Sequence, residues 1–311
     1  VRNVPALIAT AGLVLATLTA CSPGSAAADC TAPVSSGDAS ELVSVTGEFG
    51  SAPTVDFPSP LKTATTQRSE IIEGSGPGLV EGQNVQIELS VYDGTTGQPV
   101  QESAYNDTSA QTYAVGTDMP GGLTDGLLCA QEGSRLAVVT APGAENTGVD
   151  STDSLVLVID VVKSYLTRAD GAAQLPEAGL PAVVLAEDGT PGITVPSGNP
   201  PTDLKVAVLQ KGDGAEVAKG DNTKIHFTGL VWKDKTVFGS SWETGVPVSV
   251  VADENAEDKA ISTLGQALIG QTVGSQVLVV IPPELAYGDE EVGQFPVGST
   301  LVFVVDILGV D

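Results

Sequence analysis

Residues Gln271–Asp311 read QTVGSQVLVVIPPELAYGDEEVGQFPVGSTLVFVVDILGVD. Two apolar runs, Gln276–Ile281 and Thr300–Leu308, flank a loop that holds Pro282, Pro283, Tyr287, Gly288, Phe295 and Pro296. Val, Ile and Phe runs bounded by Pro and Gly predict two sheet strands joined by an ordered loop.

Working outward, the same pattern occurs earlier in the chain. Gly74-Ser75-Gly76, the turn Glu81-Gly82-Gln83-Asn84 and the alternating stretch Val85–Tyr92 have counterparts in Gly212-Asp213-Gly214, Lys219-Gly220-Asp221-Asn222 and Thr223–Leu230, 138 residues later. Gly133-Ser134-Arg135 parallels Gly274-Ser275-Gln276 at 141 residues, and Leu155–Val162 parallels Leu301–Leu308 at 146. An offset that drifts upward means loop insertions between like units, and a period this long means tandem domains rather than a short-repeat solenoid. Each unit reads as a mostly antiparallel sheet with one short helix. In the second unit the helix is predicted over Ala256–Leu268, ending at Gly270, where a positive φ is cheap. The expected class is α+β. The units are placed at 65–166 and 204–311. Short β-rich extensions precede each, with strands expected at Glu41–Val45 and Thr54–Phe57 in the first, and a Pro/Gly/Ala-rich segment over 167–203 leading into the second.

Composition narrows the function classes. The chain has 311 residues and carries 13 basic against 39 acidic residues, a formal net charge of −26. Such a chain is repelled by nucleic acid and by anionic lipid heads, and its dispersed acidic residues read as a solubilising surface. Arg2 followed by the apolar stretch Ala6–Leu18 has the form of a targeting segment, too short to span a bilayer as a helix. Leu18-Thr19-Ala20-Cys21 resembles the bacterial lipobox, which implies a signal peptide over 1–21, a lipidated Cys21, a tether starting at residue 22 within the extension over 22–64, and an exported protein anchored to the outer face of the cytoplasmic membrane. An ordinary secretory signal cut near Ala28 is the alternative. If Cys21 carries lipid, Cys30 and Cys129 remain as a pair. Export makes a disulfide between them the expectation, with two buried free thiols as the other reading. Two thiols and the lone His226 form no closed ligand set, so neither a metal nor a cofactor is expected.

The final stretch closely resembles the C-terminal half of FKBP-type peptidyl-prolyl isomerases, in which a VGS strand leads to PP-x-x-x-YG and ends in TLVFxVxLL. The resemblance implies two tandem FKBP-like domains, each a curved antiparallel sheet wrapped on one helix, acting on X-Pro bonds. Carried onto the second domain, the family's H-Y-T-G strand becomes His226-Phe227-Thr228-Gly229, which keeps an aromatic wall without its hydroxyl. F-D-S-S becomes Phe238-Gly239-Ser240-Ser241, and V-I-x-G-W becomes Ala260-Ile261-Ser262-Thr263-Leu264. By resemblance Tyr287 supplies a hydroxyl donor, Phe238 an aromatic wall and Ile261 a backbone amide donor. Phe227, Leu264, Val248, Phe295, Phe303 and Gly239 would line the substrate pocket, with Gly239 standing where the family has Asp and Leu264 where it has Trp. Phe227 and Phe303 are equally readable as core residues, His226 as an ordinary strand residue, and Trp242 as lining a rim. In the first domain Leu89, Val100 and Gln101 occupy the positions of Phe227, Phe238 and Gly239, and Asn146 falls near that of Tyr287. Met119–Leu123 keeps the turn into the helix. That domain reads as a structural or partner-binding copy.

An isomerase of this kind needs no nucleophile or metal. The barrier to peptide-bond rotation, about 18–20 kcal/mol, comes from amide resonance, and an apolar pocket with a few donors lowers it by disfavouring the dipolar resonance form. The expected function is therefore an extracytoplasmic isomerase or foldase, working as a monomer on proline-containing clients and touching the membrane only through its lipid. The competing readings are a non-catalytic chaperone or scaffold that binds extended apolar segments, and a β-sandwich adhesin.

Overall fold

The computed structural model describes residues 30–106, 108–116, 119, 121–143, 153–253, 258–288, 290, 292, 293 and 295–311. The lipobox, with Cys21, lies outside them, as do Asn146 and the first residues of the helix expected from Ala256.

The first unit opens with a 3-10 turn, Ser40–Leu42, where a strand was expected, followed by the hairpin of β1 (Ser44–Thr46) and β2 (Thr54–Asp56). Its main sheet contains β3 (Gln67–Ile72), β4 (Asn84–Asp93), β5 (Pro99–Gln101) and β6 (Gln111–Ala114). The helix α1 (Gly121–Leu127) precedes β7 (Arg135–Val139) and β8 (Leu155–Ser164). All pairs are antiparallel, in the order β3-β7-β8-β4-β5, with β6 also on β4.

The second unit repeats this with β9 (Ala172–Ala173), the hairpin β10 (Ala182–Leu185) and β11 (Pro191–Thr194), then β12 (Lys205–Lys211), β13 (Asn222–Val231), β14 (Val237–Ser240), β15 (Val248–Val251), α2 (Lys259–Leu268), β16 (Gln276–Ile281) and β17 (Leu301–Val310). The order is β14-β13-β17-β16-β12-β9, with β15 on β13. The sequence offsets carry through to register. Leu89 faces Ile159 across β4 and β8, and Phe227 faces Val305 across β13 and β17.

Period-two alternation sorts each central strand onto two faces. Ile225, Phe227 and Val231 pack with Leu264, Leu268, Phe303 and Val305 on the helix side, while Leu230, Trp232, Leu278, Val302 and Val304 form a second core on the opposite side. The segment over 167–203 covers that second side: Val183, Ile193 and Val195 pack onto it, and β9 pairs directly with β12. The first unit is built the same way, with Val43, Val45, Val55 and Leu61 covering Ala137, Val139, Val156 and Val158. Two-sided burial explains why the central strands read as nearly continuous apolar runs.

One buried carboxylate holds each extension down. Asp160 in β8 takes Arg135 Nε at 2.6 Å and Nη2 at 2.7 Å, and the same guanidinium donates to the carbonyls of Gly47, Glu48 and Ser51 in the turn between β1 and β2. Asp306, its counterpart in β17, accepts from the Ala169 amide at 2.8 Å and from Gln276 Nε2 at 2.7 Å. Burial raises the Asp306 carboxyl above its ordinary value, against the lowering effect of those two donors.

The units meet at Tyr165, which is fully buried. Its hydroxyl donates to Asp311 Oδ1 at 2.6 Å, its carbonyl accepts from Gln83 Nε2, and its ring lies so close to Gly309 that a Cβ there would come within 2.6 Å. Lys163 pairs with Asp311 at 3.0 Å. Cys30 and Cys129 are joined in a disulfide, with Cα atoms 5.5 Å apart, tying the extension to the loop after α1. Among the described residues no helix is long and apolar enough to cross a membrane.

Candidate active site

The helix side of the second sheet carries a chain of aromatic rings. Phe303 in β17 lies 6.2 Å from Phe227 in β13 and 5.4 Å, edge-on, from Phe238 in β14. Phe238 in turn meets Phe295 edge-on at 4.9 Å, and Phe295 stacks on Tyr287 at 4.9 Å. Such geometries are those that the ring quadrupoles favour. Five of the residues singled out from sequence are thus brought together from three strands and a loop. Gly229 makes the arrangement possible: a Cβ there would sit 2.4 Å from the Phe238 ring.

Leu264 is buried beneath these rings in the same core. It comes from α2, whose apolar positions Ala260, Leu264, Ala267 and Leu268 form one stripe facing the sheet. Val248 pairs with Ile225, so it shares the helix side, but it lies at the rim and is partly exposed. Gly239 pairs with Gly229, and a Cβ at that position would meet only the Phe227 ring, at an ordinary 3.7 Å. The space beside Gly239 is therefore open.

Ile261 departs from expectation. Its amide, expected to be available to a substrate, donates to Asp258 Oδ1 at 3.0 Å, because Asp258 is the N-cap of α2. The other carboxylate oxygen of Asp258 accepts the Tyr287 hydroxyl at 3.0 Å. Burial, followed by the bond to Asp258, pushes the Tyr287 phenol up to about 12. Sequence reasoning missed Asp258. An Asp just before an apolar helical stripe is a readable N-cap signal, but nothing in the chain connects it with a tyrosine 29 residues on.

Trp242 and His226 belong elsewhere. His226 lies on the opposite side of the sheet, 5% exposed, with Nδ1 2.8 Å from Ser241 Oγ and its ring stacked on Trp242 at 4.3 Å. Trp242 packs against Gly189 of the extension, so it does not line the rim. Burial pushes the His226 imidazole down to about 4, leaving it neutral at neutral pH.

The first unit has no comparable cluster among its described residues. Leu89 and Gln101 stand where Phe227 and Gly239 stand, in a cleft of about 270 Å³ otherwise lined by Glu102, Ser103, Ala104, Thr108, Ser109 and Gln111. Val100, at the Phe238 position, is exposed. Among the described residues no group of three or more His, Cys, Asp and Glu is placed to hold a metal.

The helix side of the second sheet thus carries an aromatic chain with a phenol at its end. Comparison with known proteins shows the family. Residues 214–308 match the family model described as FKBP-type peptidyl-prolyl cis-trans isomerase. A protein named FK506-binding protein from Streptomyces anulatus is 32% identical over 122 residues, covering 39% of this chain and 96% of that one. A probable FK506-binding protein of Corynebacterium glutamicum is 32% identical over 118 residues, covering 38% and 96%. Among solved structures, FkpA from Escherichia coli is similar at 27% identity and a TM-score of 0.32, over 43% of this chain and 53% of that one. The chain belongs to the FKBP-type peptidyl-prolyl cis-trans isomerase family.

Proposed function

We propose that this protein is a peptidyl-prolyl cis-trans isomerase whose active pocket lies in the second unit, residues 204–311. The observation that carries the reading is the continuous aromatic chain Phe227–Phe303–Phe238–Phe295–Tyr287 on the helix side of the sheet. A prolyl ring seated against these faces would take its amide out of water. That disfavours the dipolar resonance form that makes the bond stiff, and so favours the twisted transition state over the planar ground state. The Tyr287 hydroxyl, protonated throughout the physiological range, is suited to donate to a neighbouring carbonyl. The first unit, over 65–166, is read as a degenerate copy of the same fold that does not bind proline, because Leu89 and Gln101 give it a polar cleft in place of aromatic walls.

The proposed setting is outside the cytoplasm, with anchoring through a lipidated Cys21. The Cys30–Cys129 disulfide supports it in two ways: disulfides persist in oxidising compartments, and pairing these two leaves Cys21 over. Clients would be exported polypeptides with slow prolyl steps.

A second reading, a non-catalytic chaperone, is favoured by the exposed aliphatic residues on segments next to the site. Val246 and Val297 are 56% and 58% exposed, and Val251 and Leu285 are also open to solvent. Refolding of a client limited by prolyl isomerisation separates the two. An isomerase speeds the slow phase at a small fraction of the client concentration. A chaperone changes yield only near equimolar amounts and leaves the rate of that phase alone.

A further inference from the structure

Asp258 stands at one end of the aromatic chain and is fixed from two sides. Oδ1 accepts the Ile261 amide as the cap of α2, and Oδ2 accepts the Tyr287 hydroxyl, each at 3.0 Å. Two further bonds join α2 to the turn that carries Tyr287. Thr263 Oγ1 donates to the Leu285 carbonyl at 2.7 Å, and Lys259 Nζ donates to the Glu284 carbonyl. Helix and turn are thus sewn together along a seam, and the Asp258–Tyr287 bond is its member nearest the rings.

A phenol has one proton to give. A carboxylate is a stronger acceptor than a peptide carbonyl, since bonds to a charged partner are roughly twice as strong as neutral ones. A substrate carbonyl that approaches Tyr287 must therefore take the hydroxyl from an acceptor already held in place. We infer that Asp258 is a positioning residue of this pocket, holding the Tyr287 hydroxyl in reserve so that a bound X-Pro segment gains it only by displacing the carboxylate. The inference rests on the pocket reading above. It adds a competitor inside the site, whose effect falls on substrate binding.

The test uses the full chain and an X-Pro peptide, with exchange rates measured by NMR over a range of peptide concentrations. Asp258→Asn keeps an equally good helix cap through its one amide oxygen and turns an NH2 donor toward Tyr287 in place of the charged acceptor, while Asp258→Ala removes both the cap and the acceptor. Both should lower KM, by roughly three- to tenfold in the alanine variant, with kcat little changed. Tyr287→Phe should then cost more in the Asp258→Ala background than in the wild type. A residue that only caps the helix would lower the melting midpoint in the alanine variant and leave KM where it was. An active wild type whose KM is unchanged or raised in both Asp258 variants overturns this inference and leaves the isomerase reading intact. No exchange in the wild type or in any variant removes both.

Discussion

By the family resemblance, Gly239 stands where Asp and Leu264 where Trp would be expected, and the surroundings of the two differ. Leu264 is locked into the core beneath the rings, so a larger side chain there has to displace its neighbours. Gly239 looks onto free space beside Phe227. Gly239→Asp should therefore fold, and it should raise the rate of X-Pro exchange by roughly tenfold by restoring a polar group beside the rotating amide; an unchanged rate would mean that the carboxylate has no part here. His226 gives a second residue-scale prediction. It is the chain's one histidine, so its imidazole resonance can be followed alone, and it should titrate near pH 4. An unfolded histidine titrates near 6.5, so in that window the unfolded chain binds the proton first. The stability that His226 contributes is then complete above about pH 6.5 and is lost as pH falls toward 4. Asp306, raised by burial, acts with the opposite sign: its contribution is lost as pH rises through its folded value. Titration of the imidazole itself keeps the two apart. Which rings gather on the helix side of the second sheet was legible in the sequence, because Phe238, Phe295, Tyr287 and Phe303 stand at recognisable spacings. The state of Ile261 and Tyr287 was not, because a hydrogen-bond partner far along the chain leaves no local pattern.

At the scale of elements, the extensions bear most on how the sheets are held. Their strands are short and weakly patterned, and nothing within them marks β1–β2 and β10–β11 as lying across the outer faces of the sheets. The clue was the absence of alternation in β7, β8, β16 and β17, whose continuous apolar runs require cover on both sides. Repetition made the sheets easy to place, since β4 and β13, or β8 and β17, share register as well as sequence. The clamping carboxylates could not be foreseen in the same way, because Arg135 and Gln276 occupy like positions with different chemistry. Arg135→Ala would leave Asp160 buried without its charge partner and free the carbonyls of the β1–β2 turn. It should cost about 3–5 kcal/mol in chemical denaturation. A loss below about 1 kcal/mol would show that the extension is held by its apolar contacts alone.

Over the whole molecule, two like units differ in the side chains they keep. The second keeps the aromatic chain, and the first keeps the sheet, the helix and a polar cleft. They are joined through Tyr165, whose hydroxyl, carbonyl and ring each touch a different part of the junction. The sequence showed the duplication and the loss of aromatics in one copy, but not this contact, since Tyr165 lies where the pattern of the first unit simply runs out. Catalysis is proposed to belong to the ring cluster of the second unit. Its most direct test is NMR exchange of a short X-Pro peptide with the full chain, its Phe238→Ala variant and its Leu89→Ala variant. The account predicts acceleration by the wild type, retained in Leu89→Ala and reduced at least about tenfold in Phe238→Ala. Folded wild-type protein that leaves the exchange rate at its uncatalysed value, or acceleration that survives Phe238→Ala, would contradict it.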